Sequence, residues 1–109
     1  MMLEPLAIKE AVGGEIHWGS IEHGATAQIP APPFYNPGDD LEVYVEDVLV
    51  ATLNPIGEPE NDKFEVVVPR RKLLDYLGSR KPAVFSYVTY SQGSGNASPS
   101  QSVEYFIKH

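Results

Sequence analysis

The sequence holds no cysteine, which excludes disulfides, thiolate metal sites and a cysteine nucleophile. No apolar run approaches the ~18 residues that a membrane-spanning helix needs, so membrane insertion is not expected. The start, Met1-Met-Leu-Glu-Pro5, lacks the basic and then apolar stretches of a signal peptide. Export would need another route or a larger parent protein, and a chain complete as it stands would be cytoplasmic. Positive charge is also scarce: 8 Lys and Arg face 15 Asp and Glu, for a formal charge of −7. Nucleic-acid binding is therefore not expected, because it relies on Lys and Arg to displace counterions from phosphates. The few cations are gathered, with Arg70, Arg71, Lys72, Arg80 and Lys81 in one short segment and most acids before it. That arrangement gives a soluble domain a dipolar surface.

What is abundant is punctuation. The 109 residues suit one domain, spanning 1–109, and the apolar fraction of 42% is ordinary. Pro (10) and Gly (9) together exceed the usual share, which favours many short strands over long helices.

Taken in order, Pro5 to Val12 is bounded by a proline and by Gly13-Gly14, and reads as a first, edge strand. Glu15-Ile-His-Trp18 is a short extended piece. Ala25-Thr-Ala-Gln-Ile29 alternates small or apolar residues with polar ones, as a half-buried strand does. The prolines of Pro30-Ala-Pro-Pro-Phe34 cannot donate to a sheet ladder, so this stretch is a loop. Asn36-Pro37-Gly38-Asp39 has turn chemistry, with proline fixing φ and glycine free to take positive φ. Leu41, Val43 and Val45 point one way while Glu42, Tyr44 and Glu46 point the other, giving one buried and one wet face. Asp47 breaks the chain tightly, and Val48 to Leu53 pairs back as a hairpin or meander. Phe64, Val66 and Val68 mark the core face of a further strand. Pro69 and the spacing of Leu73, Leu74 and Leu77 predict one or two helical turns at 70–77, ended by Gly78. Three basic residues at their start oppose the helix dipole, so these turns are not expected to stand alone.

The chain closes with Pro82-Ala-Val-Phe-Ser-Tyr-Val-Thr-Tyr-Ser91, a Gly- and Ser-rich loop, and Gln101-Ser-Val-Glu-Tyr-Phe-Ile-Lys108. These read as the last hairpin, with Ala83, Phe85, Tyr87, Val103, Tyr105 and Ile107 facing the core. Tyr87 is expected to act in the manner of a tyrosine corner, its hydroxyl bonding backbone across the bend. The sum is all-β: an immunoglobulin-like antiparallel β-sandwich of about seven strands with one short helical turn.

A family resemblance rests on the order of short motifs. Pro5-x-x-Ile8-x-Glu10-Ala11 is followed by Gln28-Ile29-Pro30, Pro37-Gly38-Asp39 and Val43-Tyr44-Val45. Phe64-x-Val66-x-Val68-Pro69, a short leucine-bearing turn, Phe85-Ser86-Tyr87 and Ser100/Ser102 complete the series. In this the chain resembles the immunoglobulin-like repeat domains found in tandem in large surface and secreted proteins of Gram-negative bacteria. The resemblance implies a spacer or adhesion role without catalysis. It also implies a monomer or one unit of a tandem array, at the cell surface or secreted as part of a larger protein.

The residues themselves leave several functional candidates. Asp39, Asp40 and Glu42 form a carboxylate cluster suited to a hard cation such as calcium. The same positions suit a turn exit and the wet face of a strand. His17, Glu22 and His23 are zinc-type ligands, with nothing to hold them on one rigid element. The serines of 91–102 have no base nearby except His109, and no nucleophile elbow, phosphate loop or zinc-protease motif occurs, so catalysis is not expected. Residues 91–102 read either as a mobile connection or as a recognition loop at one end of the sandwich. With Asn96 and Ser98 from that loop, the outward Tyr44, Tyr90 and Phe106 make a candidate platform for a glycan or protein partner. Asn96-Ala-Ser98 also matches a glycosylation sequon.

Overall fold

Alternating burial sorts the strands onto two facing sheets. The computed structural model describes residues 2–109. One sheet has the order β1-β3-β6, from β1 (Ala7–Ile8), β3 (Ala25–Pro30) and β6 (Lys63–Val68). The other has the order β2-β9-β7-β4-β5, from β2 (Glu15–His17), β9 (Val103–Lys108), β7 (Ala83–Tyr90), β4 (Asp40–Val45) and β5 (Val48–Leu53). A short β8 (Ala97–Pro99) pairs with β7. The inward residues expected of β3, β4, β6 and β7 are all buried, from Ala25 through Tyr87. Ile107 joins them, while Val103 and Tyr105 are half-buried at the core margin. The chain is an all-β fold of two facing sheets, a β-sandwich.

At both ends of the chain the strands depart from the expected course. At the start, Gly13 (φ 59°) and Gly14 (φ 80°) turn the chain from β1 across to the other sheet. There β2 runs parallel to β9, with Ile16 opposite Ile107, so the sandwich is not wholly antiparallel. Ala7 and Ile8 of the first expected strand pair with β3, and the Lys9 N–H still donates to the Thr26 carbonyl at 2.9 Å. Beyond them the Glu10 carboxylate accepts from the Thr26 backbone N–H and from its hydroxyl, both at 2.8 Å. A side chain thus continues the bonding that backbone would otherwise make. At the end, Ser100 is buried between β8 and β9. Its Oγ accepts from the Tyr87 N–H at 2.9 Å, while its own N–H donates to the Tyr87 carbonyl. Because β8 claims 97–99, the unpaired connection after β7 is 91–96 rather than 91–102.

Three further expectations fare differently. The turns at Arg70–Tyr76 form a 3-10 helix. Of its leucines Leu73 is buried and Leu74 is 56% exposed, which suits a segment too short and too basic at its start to hold an amphipathic α-helix. Gly78 does take the positive φ expected after it, 70°. Gly38, by contrast, has no positive φ; the Gln92 side chain occupies the space a Cβ would need. Tyr87 does bond backbone through its hydroxyl, but the acceptor is the Glu4 carbonyl at 2.6 Å, 83 residues away. It ties the incoming chain to the core and is no tyrosine corner.

The hairpin joining β4 to β5 carries visible strain. Glu46 (φ 51°) and Asp47 (φ 66°) are both left-handed, between the paired Val45 and Val48. A two-residue turn of this type prefers Asn-Gly. Combining Glu46→Asn with Asp47→Gly is expected to stabilise the fold by about 1 kcal/mol. The urea midpoint should rise; a lower one would mean that the native side chains make compensating contacts.

Candidate binding surface

The outward face of the larger sheet collects polar and aromatic side chains because β4 and β7 alternate in step. Asp40, Glu42 and Tyr44 lie directly opposite Tyr90, Val88 and Ser86. On the other side Glu42 meets Thr52 of β5. That pairing depends on a bulge between Val43 and Tyr44, which shifts β5 by one residue. The Tyr44 hydroxyl donates to Glu42 Oε1 at 2.6 Å. This bond, then burial, then the neighbouring Tyr90, hold the Tyr44 hydroxyl far above its ordinary pKa. The phenol therefore stays a donor, and Glu42 stays oriented along the strand.

Beside this pair opens a cleft of about 410 Å³ lined by Asp40, Leu41, Glu42, Thr52, Asn54, Tyr90 and Gly95. It offers two carboxylates, an amide, a hydroxyl and the flank of a tyrosine. Such a mixture of one aromatic wall and several directed polar groups can orient a polar ligand and still exclude some water.

Of the residues expected to bind a ligand, Tyr90 lines this cleft, and Tyr44 lies on the same sheet face outside its lining. Phe106 lies on the same face at the opposite end of the sheet, opposite Glu15, with the Lys108 ammonium 5.4 Å from its ring. Ser98 sits opposite the buried Thr89 and so on the inward side of β8, away from the tyrosines. Asn96 is exposed, and its carbonyl accepts from the Ser91 N–H to close the loop at 91–96.

The expected calcium ligands are parted by strand alternation. Asp40 and Glu42 face outward, whereas Asp39 is 5% exposed. Asp39 Oδ2 accepts from the Asn36 N–H at 2.9 Å and Oδ1 from the Gln92 N–H at 2.8 Å. The carboxylate ties the Asn36–Asp39 turn to the 91–96 loop and so fixes one side of the cleft. Likewise His17 is drawn towards Glu15 at 4.0 Å, not towards Glu22 and His23. Among the described residues no three His, Cys, Asp or Glu side chains are grouped to hold a metal ion.

Thr52, Asn54 and Gly95 are cleft residues that the sequence reading did not single out. Asn54 follows β5 in an Asn-Pro step, but only the bulge reveals which way Thr52 points.

A second cleft, of about 450 Å³, lies between the segment Met2–Glu4 and the loop Pro30–Phe34, with Tyr87 at its base. Its walls are mainly apolar, and three of its residues are prolines without an N–H to offer. Met2 is 53% and Phe34 60% exposed.

No known protein family matches the sequence, and no curated protein matches it significantly.

Proposed function

We propose that this chain is a non-enzymatic, immunoglobulin-like adhesion module that presents the cleft walled by Tyr90, Asp40 and Glu42 to a glycan. The observation that carries this reading is the composition of the cleft. Tyr90 stands beside Asp40, Glu42, Thr52 and Asn54 in one pocket on a rigid sheet. Sugar recognition asks for an aromatic or apolar flank together with acceptors and donors at fixed spacing, and backbone pairing on both sides holds these in place. A role at a bacterial surface or in an exported protein is supported by the resemblance of the strand motifs to tandem surface repeats.

The test is a two-dimensional amide NMR titration with a panel of neutral and amino sugars. Shifts are expected at residues 40–44, 52–54 and 88–96, with affinity at least about tenfold weaker in Tyr90→Ala. Absence of any shift at ~10 mM sugar, a level that would detect even millimolar affinity, overturns the reading. Shifts clustered elsewhere would do the same.

A further inference from the structure

Next to the cleft walled by Tyr90, Asp40 and Glu42, a second one opens on the same outward face. It holds about 400 Å³ between Tyr44, Asp47, Ser86, Val88, Pro99 and Ser100. Strand register puts the two clefts in line. Tyr90, Val88 and Ser86 succeed one another along β7, opposite Asp40, Glu42 and Tyr44 of β4. Pro99 of β8 flanks Val88 on the other side. The bond from Tyr44, in the wall of the second cleft, to Glu42, in the wall of the first, joins them. From Asp40 to Tyr44 the strand advances about 13 Å. A track of that length is more than one pyranose ring can fill.

Charge along the track has one sign. Every charged side chain lining either cleft is a carboxylate, Asp40 and Glu42 in the first and Asp47 in the second. None of the three is in an ion pair, and among the described residues the one pair is His17 with Glu15. At the margin two further acids add the same sign. Glu46 donates its N–H to the Val84 carbonyl, and Glu104 lies opposite Val84 on β9. The cations of this region stand off the track. Arg80 and Lys81 precede β7, Lys108 lies beside Phe106, and none of the three lines a cleft.

We propose that the glycan taken by this face is a linear oligosaccharide with free amino groups, laid along β4 and β7 across both clefts. The inference rests on the glycan reading of the first cleft and adds the length and the charge of the ligand. A hexosamine chain supplies what the track lacks. Its ammonium groups meet Asp40, Glu42 and Asp47, and its rings lie against Tyr90 and Tyr44. An N-acetylated chain of the same length brings neutral amides instead, and a uronic-acid chain brings like charge. An extended basic peptide shares the charge but lacks the usual means of holding on, which is strand addition at a sheet edge. Here β4 is already paired with β5 and β7, and β7 with β4, β8 and β9, so the track offers no edge.

Amide NMR titration in slightly acidic buffer, where sugar amines carry a proton, tests the inference. The probes are glucosamine, its β-1,4-linked tetrasaccharide, the N-acetylated tetrasaccharide and tetralysine. The amino tetrasaccharide should move amides of both clefts, at 40–44, 52–54 and 88–96 and also at 47, 86 and 99–100. It should bind at least about tenfold tighter than glucosamine or the N-acetylated chain. Salt at about 500 mM should weaken it. Asp47→Asn keeps a residue that tolerates the φ of 66° found there. It should weaken the amino tetrasaccharide by about threefold or more and leave the glucosamine shifts at 40–42 and 52–54 unchanged. An amino tetrasaccharide that binds no tighter than glucosamine, or shifts only the first cleft, overturns this inference and leaves the glycan reading standing. An N-acetylated chain that binds as tightly does the same. Tetralysine binding as tightly overturns it in favour of a basic peptide. Silence of every sugar overturns both readings.

Discussion

Replacing Gly24 by alanine is expected to destabilise the fold by about 3–5 kcal/mol, a large part of what a domain of this size has to lose. Gly24 closes the turn before β3, its N–H donating to the Ile21 carbonyl at 2.9 Å, and it sits at φ 111°. An added Cβ would lie 2.6 Å from Val67 Cγ1 and 2.7 Å from the Val68 carbonyl oxygen. The Val68 carbonyl belongs to β6, whose register with β3 begins at Ala25, so backbone on both sides would have to move. Two costs add, an unfavourable backbone conformation and an overlap that cannot relax. Gly38→Ala is the control. There the obstacle is the far end of the Gln92 side chain on an exposed residue, which can swing away, and φ is not positive. Urea unfolding should show a collapsed midpoint for the first variant and a small shift for the second. Equal midpoints would mean that the β3–β6 edge yields more easily than its ladder implies.

The contrast between these glycines also marks what the sequence could convey. Alternation is local, so the inward sides of β3, β4, β6 and β7 were legible from residue type alone, down to Tyr87 facing in and Tyr44 and Tyr90 facing out. Features set by a distant neighbour were not. Gly38 looked like the conformationally special glycine because it follows a proline, yet it is ordinary. Gly24, unmarked by any motif, is the position that the opposite strand restricts. The same holds for the cleft. Tyr90 and the carboxylates Asp40 and Glu42 stood out, but as members of separate groups, an aromatic platform and a carboxylate cluster. The hairpin register joins them. Val45 opposite Val48 would, without a bulge, place Glu42 against Ala51; the bulge moves the partner to Thr52 and turns its hydroxyl to the cleft side. Asp39 shows the same dependence on distant neighbours: a carboxylate beside two others suggests a shared cation, and in the structure it is buried and accepts from two backbone N–H groups.

Tyr87 is where core, chain entry and solution conditions meet, and it yields the second large effect. Its side chain is 1% exposed, and its hydroxyl reaches the Glu4 carbonyl. Tyr87→Phe removes that donor and leaves the carbonyl to find water, at an expected cost of about 1–3 kcal/mol. Alkali should act on the same bond. Burial, with the charge of Glu4 adding to it, raises the Tyr87 pKa from 10.0 to about 12. A folded-state pKa above the unfolded one means that the native state holds the proton more tightly. The resulting stabilisation is full below pH 10 and is lost as pH rises through about 12, amounting to roughly 2–3 kcal/mol. Tyr44 is raised as well, so alkaline loss should persist in the variant but with a shallower slope. Urea midpoints of wild type and Tyr87→Phe, measured near pH 7 and again near pH 11, should therefore converge. Parallel loss in the two proteins would place the alkaline sensitivity elsewhere. Because Glu4 lies in the segment that walls the apolar cleft, the same variant should also speed amide exchange at Leu3, whose N–H donates to the Pro99 carbonyl. The hydroxyl of one core residue thus couples the seating of the incoming chain to the shape of that cleft.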